Sequence, residues 1–168
     1  TKGNNPDILM LSATPIPRSL AQSYFGDMDI SQIKEKPKSR KKIITTIMSS
    51  NKWNEIINSL EVAITRQEKI YWVCPLIEEN TDKDNNNNLD IATAVKRYNE
   101  FCSIFEGQVG LVHGKMKIDE RNIEMEKFLL GQTRILVATT VVEVGIDVKD
   151  ATIIYIEQAE RFGLSQLH

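Results

Sequence analysis

Polar residues able to do chemistry stand at the ends of apolar runs in this chain. Thr139 and Thr140 come straight after Ile135-Leu136-Val137-Ala138, with Gly145 and Asp147 a few residues on. His113, Gly114 and Lys115 follow the run that ends at Val112, and Ser12, Ala13 and Thr14 follow Ile8-Leu9-Met10-Leu11. Hydroxyls, a bare backbone amide, an imidazole and an ammonium suit the grip of a sugar-phosphate backbone. A glycine followed by a carboxylate suits phosphate and ribose. Taken singly, each group is also an ordinary turn closing a buried strand.

Two further stretches imitate nucleotide sites without meeting their geometry. Gly110-Leu111-Val112-His113-Gly114-Lys115-Met116 is one residue short of a P-loop between its glycines, and Met116 stands where a Ser or Thr would reach magnesium. Asp119-Glu120-Arg121-Asn122 resembles an acidic ATPase motif. It falls on a helix start rather than a strand end, so its carboxylates should face solvent. The chain therefore carries no complete ATP site. Cys74 and Cys102 lack metal-ligand spacing and read as small buried hydrophobes in a reduced, cytosolic setting.

The elements that must hold these groups follow from apolar periodicity. Asp7–Leu11 reads as a strand closed by Pro15, with a helix over Arg18–Phe25 and a weak strand over Met28–Ile33. Ile43–Met48 is a β-branched run, hence a strand. Asn51 is suited to cap a helix reaching about Gln67, with Trp53, Ile56, Ile57, Leu60, Val62 and Ile64 on its apolar face. Lys69–Cys74 is a strand ended by Pro75, and Glu78–Asn88, with its consecutive asparagines, reads as a surface loop. Leu89–Phe105 is amphipathic, with Ala92, Val95, Tyr98, Phe101, Cys102 and Phe105 inward. Gln108–Val112 is a strand, and Ile118–Leu130 a helix stopped by Gly131. The strand at Ile135 is followed by a buried one over Ala151–Ile156, and Phe162–His168 begins a helix. This alternation predicts an α/β three-layer domain with a mainly parallel sheet. Such sheets bind ligands beyond the carboxyl ends of their strands, where the polar groups stand.

Composition narrows the class. A length of 168 residues, 41% hydrophobic and 26% charged, is that of one ordinary globular domain. No run is long and apolar enough to span a bilayer, so no membrane partner is expected. A net charge of −2 argues against a large non-specific nucleic-acid footprint. Lys34–Lys42 is a basic stripe that reads as a solvated linker.

Taken together and in register, SATPIPRSLA, YWVCPLIEE, VGLVHGKMK, ILVATTVVEVGIDV and ERFGLSQLH resemble the superfamily 2 helicases. More narrowly, they resemble the RecG family of ATP-dependent DNA branch-migration helicases. CPLIEE together with HGKMK separates the chain from the related transcription-repair coupling translocases.

The resemblance implies a truncated RecA-like fold: residues 1–30 as the tail of a first RecA-like lobe with a connector, and 31–168 as the second lobe, cut before motif VI. Ser12, Ala13 and Thr14 would be motif III, which links ATP hydrolysis to DNA movement. His113 and Gly114 would lie against the tracking strand, and Thr139 and Thr140 near DNA phosphates. Gly145 and Asp147 would approach the ATP ribose and the lobe interface, beside Glu143, whose role stays unassigned. ATP and Mg2+ are implied for the longer parent, and neither for the fragment alone. The implied partners are branched DNA (forks and Holliday junctions), with the first lobe and a wedge domain in cis. Self-association of the fragment is left open, and the implied setting is a bacterial-type cytoplasm with activity on the nucleoid. From another class, a non-catalytic lobe that docks a protein partner is the alternative. A metabolic Rossmann enzyme lacks its glycine fingerprint here.

Overall fold

The computed structural model describes residues 31, 33, 35, 42–75, 83–139, 148, 150–163 and 167, with the backbone alone over 83–91. By internal contacts the chain divides into two compact units, one being Met48–Gly163 with Leu167. The other takes in Thr1–Ile47, 164–166 and His168, and its described residues are exposed coil. The expected Asp7–Leu11 strand, the Arg18–Phe25 helix and most of Met28–Ile33 lie outside the described residues, as does most of the helix start at Phe162–His168.

Four strands build the larger unit: β1 (Lys69–Cys74), β2 (Val109–Val112), β3 (Ile135–Thr139) and β4 (Ala151–Ile156). They lie in the order β2-β3-β1-β4, and every pairing is parallel. A parallel ladder needs a crossover between strands, and helices supply two of them. With α1 (Trp53–Thr65) preceding β1, α2 (Lys83–Ile104) links β1 to β2 and α3 (Ile118–Leu129) links β2 to β3.

Side chains alternate across the sheet as the pleat requires. Ile70, Trp72 and Cys74 of β1, with Ile135 and Val137 of β3, face one core that also holds Ile56 and Leu60 of α1 and Phe101 of α2. Leu136 and Val112 face the opposite way, toward Met125 and Phe128 of α3. The sheet is thus covered on both faces, as the near-continuous apolar reading of β1 and β3 demands.

Several local expectations change. Residues 42–49 form no strand, with Ile43 72%, Ile44 83% and Ile47 99% exposed. β-Branched residues favour a pleated surface only when a neighbouring strand provides one. β4 is half-buried rather than buried, because it lies at the sheet edge with a neighbour on one side. Asn51 does not cap α1: it lies in a 3-10 turn over Ser50–Lys52, which Ser49 caps by accepting from Asn51 N–H at 3.4 Å, and Lys52 at the start of α1 makes no side-chain cap bond. Val62 falls outside the apolar face and is 49% exposed. α2 starts at Lys83, so Asn85–Asn88 are helical and not loop. A helix nucleated by its packed end extends at one hydrogen bond per added residue, which outweighs the poor propensity of asparagine. On α2 it is Ala94, not Ala92, that is buried.

Both α1 and α3 end in the same backbone motif. Beyond α3, Gly131 takes φ +72°, donates to the Phe128 carbonyl, and Gln132 N–H reaches that of Lys127. Beyond α1, Gln67 takes φ +60°, donates to Ile64, and Glu68 N–H reaches Ala63. This is the paired-bond cap that glycine favours. Glycine has a second reason at 131, since an added Cβ would lie 3.1 Å from the Arg134 guanidinium. Gly131→Ala is therefore expected to lower unfolding free energy by about 1 kcal/mol or more, and Gln67→Gly to raise it by up to about 1 kcal/mol. Urea unfolding of the two variants measures both signs.

Candidate functional site

The registers bring the strand ends into one line. Val112 pairs with Ala138, Ala138 with Val73, and Val73 with Ile156. The next residue of each strand, His113, Thr139, Cys74 and Glu157, therefore forms a row along the carboxyl edge. At about 4.8 Å per strand the row runs roughly 14 Å from His113 to Glu157. β1 and β3 are adjacent, yet the chain leaves them in opposite directions, to β2 and to β4. Adjacent strands that diverge in this way open a ligand crevice outside their carboxyl ends. Thr139 and Cys74 stand at that point.

His113 is the first residue after β2. Its carbonyl accepts from Met116 N–H at 3.1 Å, closing a turn in which Gly114 and Lys115 are exposed. Its own N–H donates to the Met116 sulfur at 3.4 Å. Met116, where a P-loop would need a hydroxyl, instead seals this turn. His113 Nδ1 is buried and has no hydrogen-bond partner among the described residues. Burial pushes the His113 pKa below its ordinary value; Glu120 opposes that shift and Lys115 adds to it.

Thr139 is 2% exposed, and its Oγ1 is without a partner among the described residues. A buried hydroxyl left unpaired is unfavourable, so such an atom needs an explanation. Thr140, Glu143, Gly145 and Asp147, and likewise Ser12, Ala13 and Thr14, lie outside the described residues. Asp119 and Glu120 are exposed in the first turn of α3, where negative charge favours the helix N-terminus. They build no acidic pocket, and among the described residues no group of three His, Cys, Asp or Glu could hold a metal.

At the other end of the row stands an ion pair that the motifs do not announce. Arg97 of α2 donates through Nε to Glu157 Oε2 at 3.0 Å and through Nη2 to Glu157 Oε1. Its Nη1 bonds Glu100. Trp72 Nε1 donates to Glu157 Oε2 at 2.9 Å. The guanidinium lies 4.3 Å over the Trp53 ring, and Trp53 in turn stacks on Phe101. A charged residue between Ala94 and Phe101, on the inner stripe of α2, was the available sequence signal. Nearby, burial pushes the Cys74 thiol up to about 12, with the negative Glu157 adding to the shift. Arg97 and a hydrogen bond from Trp72 oppose it. Cys74 is a protonated, inert filler, as expected.

Residues 51–168 match the helicase conserved C-terminal domain family. The chain belongs to this family. The ATP-dependent DNA helicase RecG of Bacillus subtilis (strain 168) is 46% identical over 169 residues, covering 99% of this chain and 24% of that protein. RecG of Streptococcus pneumoniae serotype 4 is 44% identical with the same coverage. The solved structure of RecG bound to a three-way DNA junction superposes with a TM-score of 0.71 at 38% identity, covering 93% of this chain and 19% of that one. The chain spans about a quarter of the length of the curated relatives it matches. The expected α/β, RecA-like architecture agrees with this membership and with the parallel sheet. Among the described residues no helix is long and apolar enough to cross a membrane.

Glu157→Ala strips Arg97 and Trp72 of their shared acceptor. With both charges about four-fifths buried (side chains 19% and 20% exposed), the loss is expected at about 2 kcal/mol, read from urea unfolding. His113 supplies a pH signature. Its folded pKa lies below the unfolded value, so the neutral ring favours folding. That contribution is complete above about pH 6.5 and fades as pH falls through the lowered folded pKa. His113→Asn should flatten the stability profile between about pH 7 and pH 5; an unchanged slope in thermal melts would count against this.

Proposed function

We propose that the chain is the second RecA-like lobe of an ATP-dependent DNA helicase of RecG type, acting on branched DNA such as replication forks and Holliday junctions. The observation that carries the reading is the 46% identity to a RecG helicase across 99% of the chain. The carboxyl-edge row gives it a physical basis. Gly114 offers bare backbone in an exposed turn, with the half-buried His113 at its base. Groups of this kind grip a sugar-phosphate strand without reading its bases.

In this reading His113, Gly114 and Thr140 meet the tracking strand. Thr139 belongs with them at the same strand end, although its side chain is closed off from solvent. Gly145 and Asp147 approach the ATP ribose at the lobe interface, with Glu143 in the same segment. Ser12, Ala13 and Thr14 couple hydrolysis to movement, residues 1–30 belonging with the first lobe and 31–168 with the second. When bound, ATP with Mg2+ supplies phosphoryl transfer as the energy source. The described residues build no cradle for its phosphates, so their grip falls to the first lobe and an arginine-bearing segment. This lobe's part is to hold one DNA strand and to move with the closing cleft. The setting that follows is the bacterial cytoplasm, on nucleoid DNA.

The test is ATP hydrolysis by the protein in which this lobe is joined to a first lobe and to its continuation, with a model fork or with plain single strands. Turnover stimulated more strongly by the fork is expected, and the 168-residue chain alone should give none. Equal stimulation by both DNAs would reduce the reading to a general translocase. No hydrolysis by the joined protein would return the chain to a protein-docking lobe.

A further inference from the structure

Trp53 opens α1, a few residues after Met48, where the chain comes into the larger unit. Glu157 directly follows β4 at the carboxyl edge of the sheet. Both sit against one side chain. Arg97 lays its guanidinium face on Trp53 and turns its edge to Glu157. The end of β4 is held from further sides too: Glu157 N–H donates to the Val73 carbonyl at 2.9 Å, and Trp72 Nε1 to the carboxylate. Immediately beyond, Gln158 takes a left-handed conformation at φ 50°, ψ 54°, and the chain bends into the short turn Ala159–Arg161. A non-glycine residue keeps that conformation only where its surroundings over-determine it. Three of the five guanidinium N–H groups, one each on Nε, Nη1 and Nη2, meet carboxylates.

We propose that Arg97 is a positioning residue that fastens the start of α1 to the carboxyl end of β4. A pull arriving through the segment before α1 is then carried to the carboxyl end of the sheet. The inference rests on the two-lobe motor reading, in which force enters the lobe through its connections. Loss of the fastening should spare phosphoryl transfer and waste its output, because α1 and the end of β4 would yield separately.

The test follows strand separation and ATP hydrolysis together in the joined protein on a forked DNA, below the melting transition of each variant. Arg97→Gln removes the clamp. Glu157→Gln is the milder second variant, since its amide oxygen still accepts from Trp72 or Arg97. Strands separated per ATP hydrolysed should fall about fivefold with Arg97→Gln while turnover stays within about twofold. Glu157→Gln should fall between that and wild type. Tryptophan emission should shift in both variants, since Trp53 and Trp72 are the only tryptophans of the chain. Turnover and separation falling in parallel would mark a merely structural pair and overturn the inference, as would an unchanged ratio. A wild-type protein without fork-stimulated hydrolysis would sink the motor reading first, and the inference with it.

Discussion

A parallel ladder must be covered on both faces and cannot turn back on itself through a short hairpin. β1 and β3 form the centre of that ladder, with Ile70, Ile135, Leu136, Val137 and Ala138 all fully buried. Every strand then starts at one edge and stops at the other. With the registers of the four strands locked, their polar terminators fall on a common row. The candidate site is thus a consequence of covering the sheet, since no separate device is needed to bring His113, Thr139 and Glu157 to one edge.

The same edge tolerates charge only where water is replaced by something comparable. Arg97 lies against the Trp53 ring and, like Glu157, is mostly buried, a setting in which an isolated charge would be strongly disfavoured. Two parallel guanidinium bonds, a tryptophan N–H and the electron-rich face of Trp53 take over the role of solvent. An apolar pair of similar size could serve stability as well. What the ion pair adds is direction, because a bidentate bond fixes the angle between α2 and the end of β4 in a way that greasy contact does not. The protonated Cys74 alongside leaves Glu157 without a competing negative charge.

Much of this was legible from residue order. β1 was placed residue for residue by KIYWVC before proline, and the end of α3 by the glycine that its cap requires. The dismissed P-loop is a sealed turn, and the dismissed acidic motif an exposed helix start. What periodicity could not supply is the identity of neighbours. Ile43–Ile47 has strand composition but no ladder, and β4 has the same kind of composition with a ladder on one side. Arg97 was passed over because helical spacing flags apolar stripes, whereas its meaning depends on Glu157, 60 residues away.

The two edges of the sheet differ in how completely their polar groups are met. At the amino edge, Lys69 is 4% exposed and its Nζ donates to the Leu129 carbonyl at 2.7 Å, satisfying the end of α3. Arg134 Nη1 donates to the Gln67 carbonyl at 2.8 Å, in support of the strained residue that ends α1. Thr133 Oγ1 is the buried atom left over on that side among the described residues. At the carboxyl edge, His113 Nδ1 and Thr139 Oγ1 are both left over among the described residues, and the left-handed Gln158 follows Glu157. Unmet donors and backbone strain lower stability wherever they occur, so a fold selected for stability alone would remove them. Left-handed residues stand near both edges, Gln67 before β1 and Gln158 after β4, so backbone strain does not tell the edges apart. What differs is the chemistry that closes them: Lys69 and Arg134 meet backbone carbonyls at the amino edge, whereas Arg97 meets the Glu157 carboxylate at the carboxyl edge.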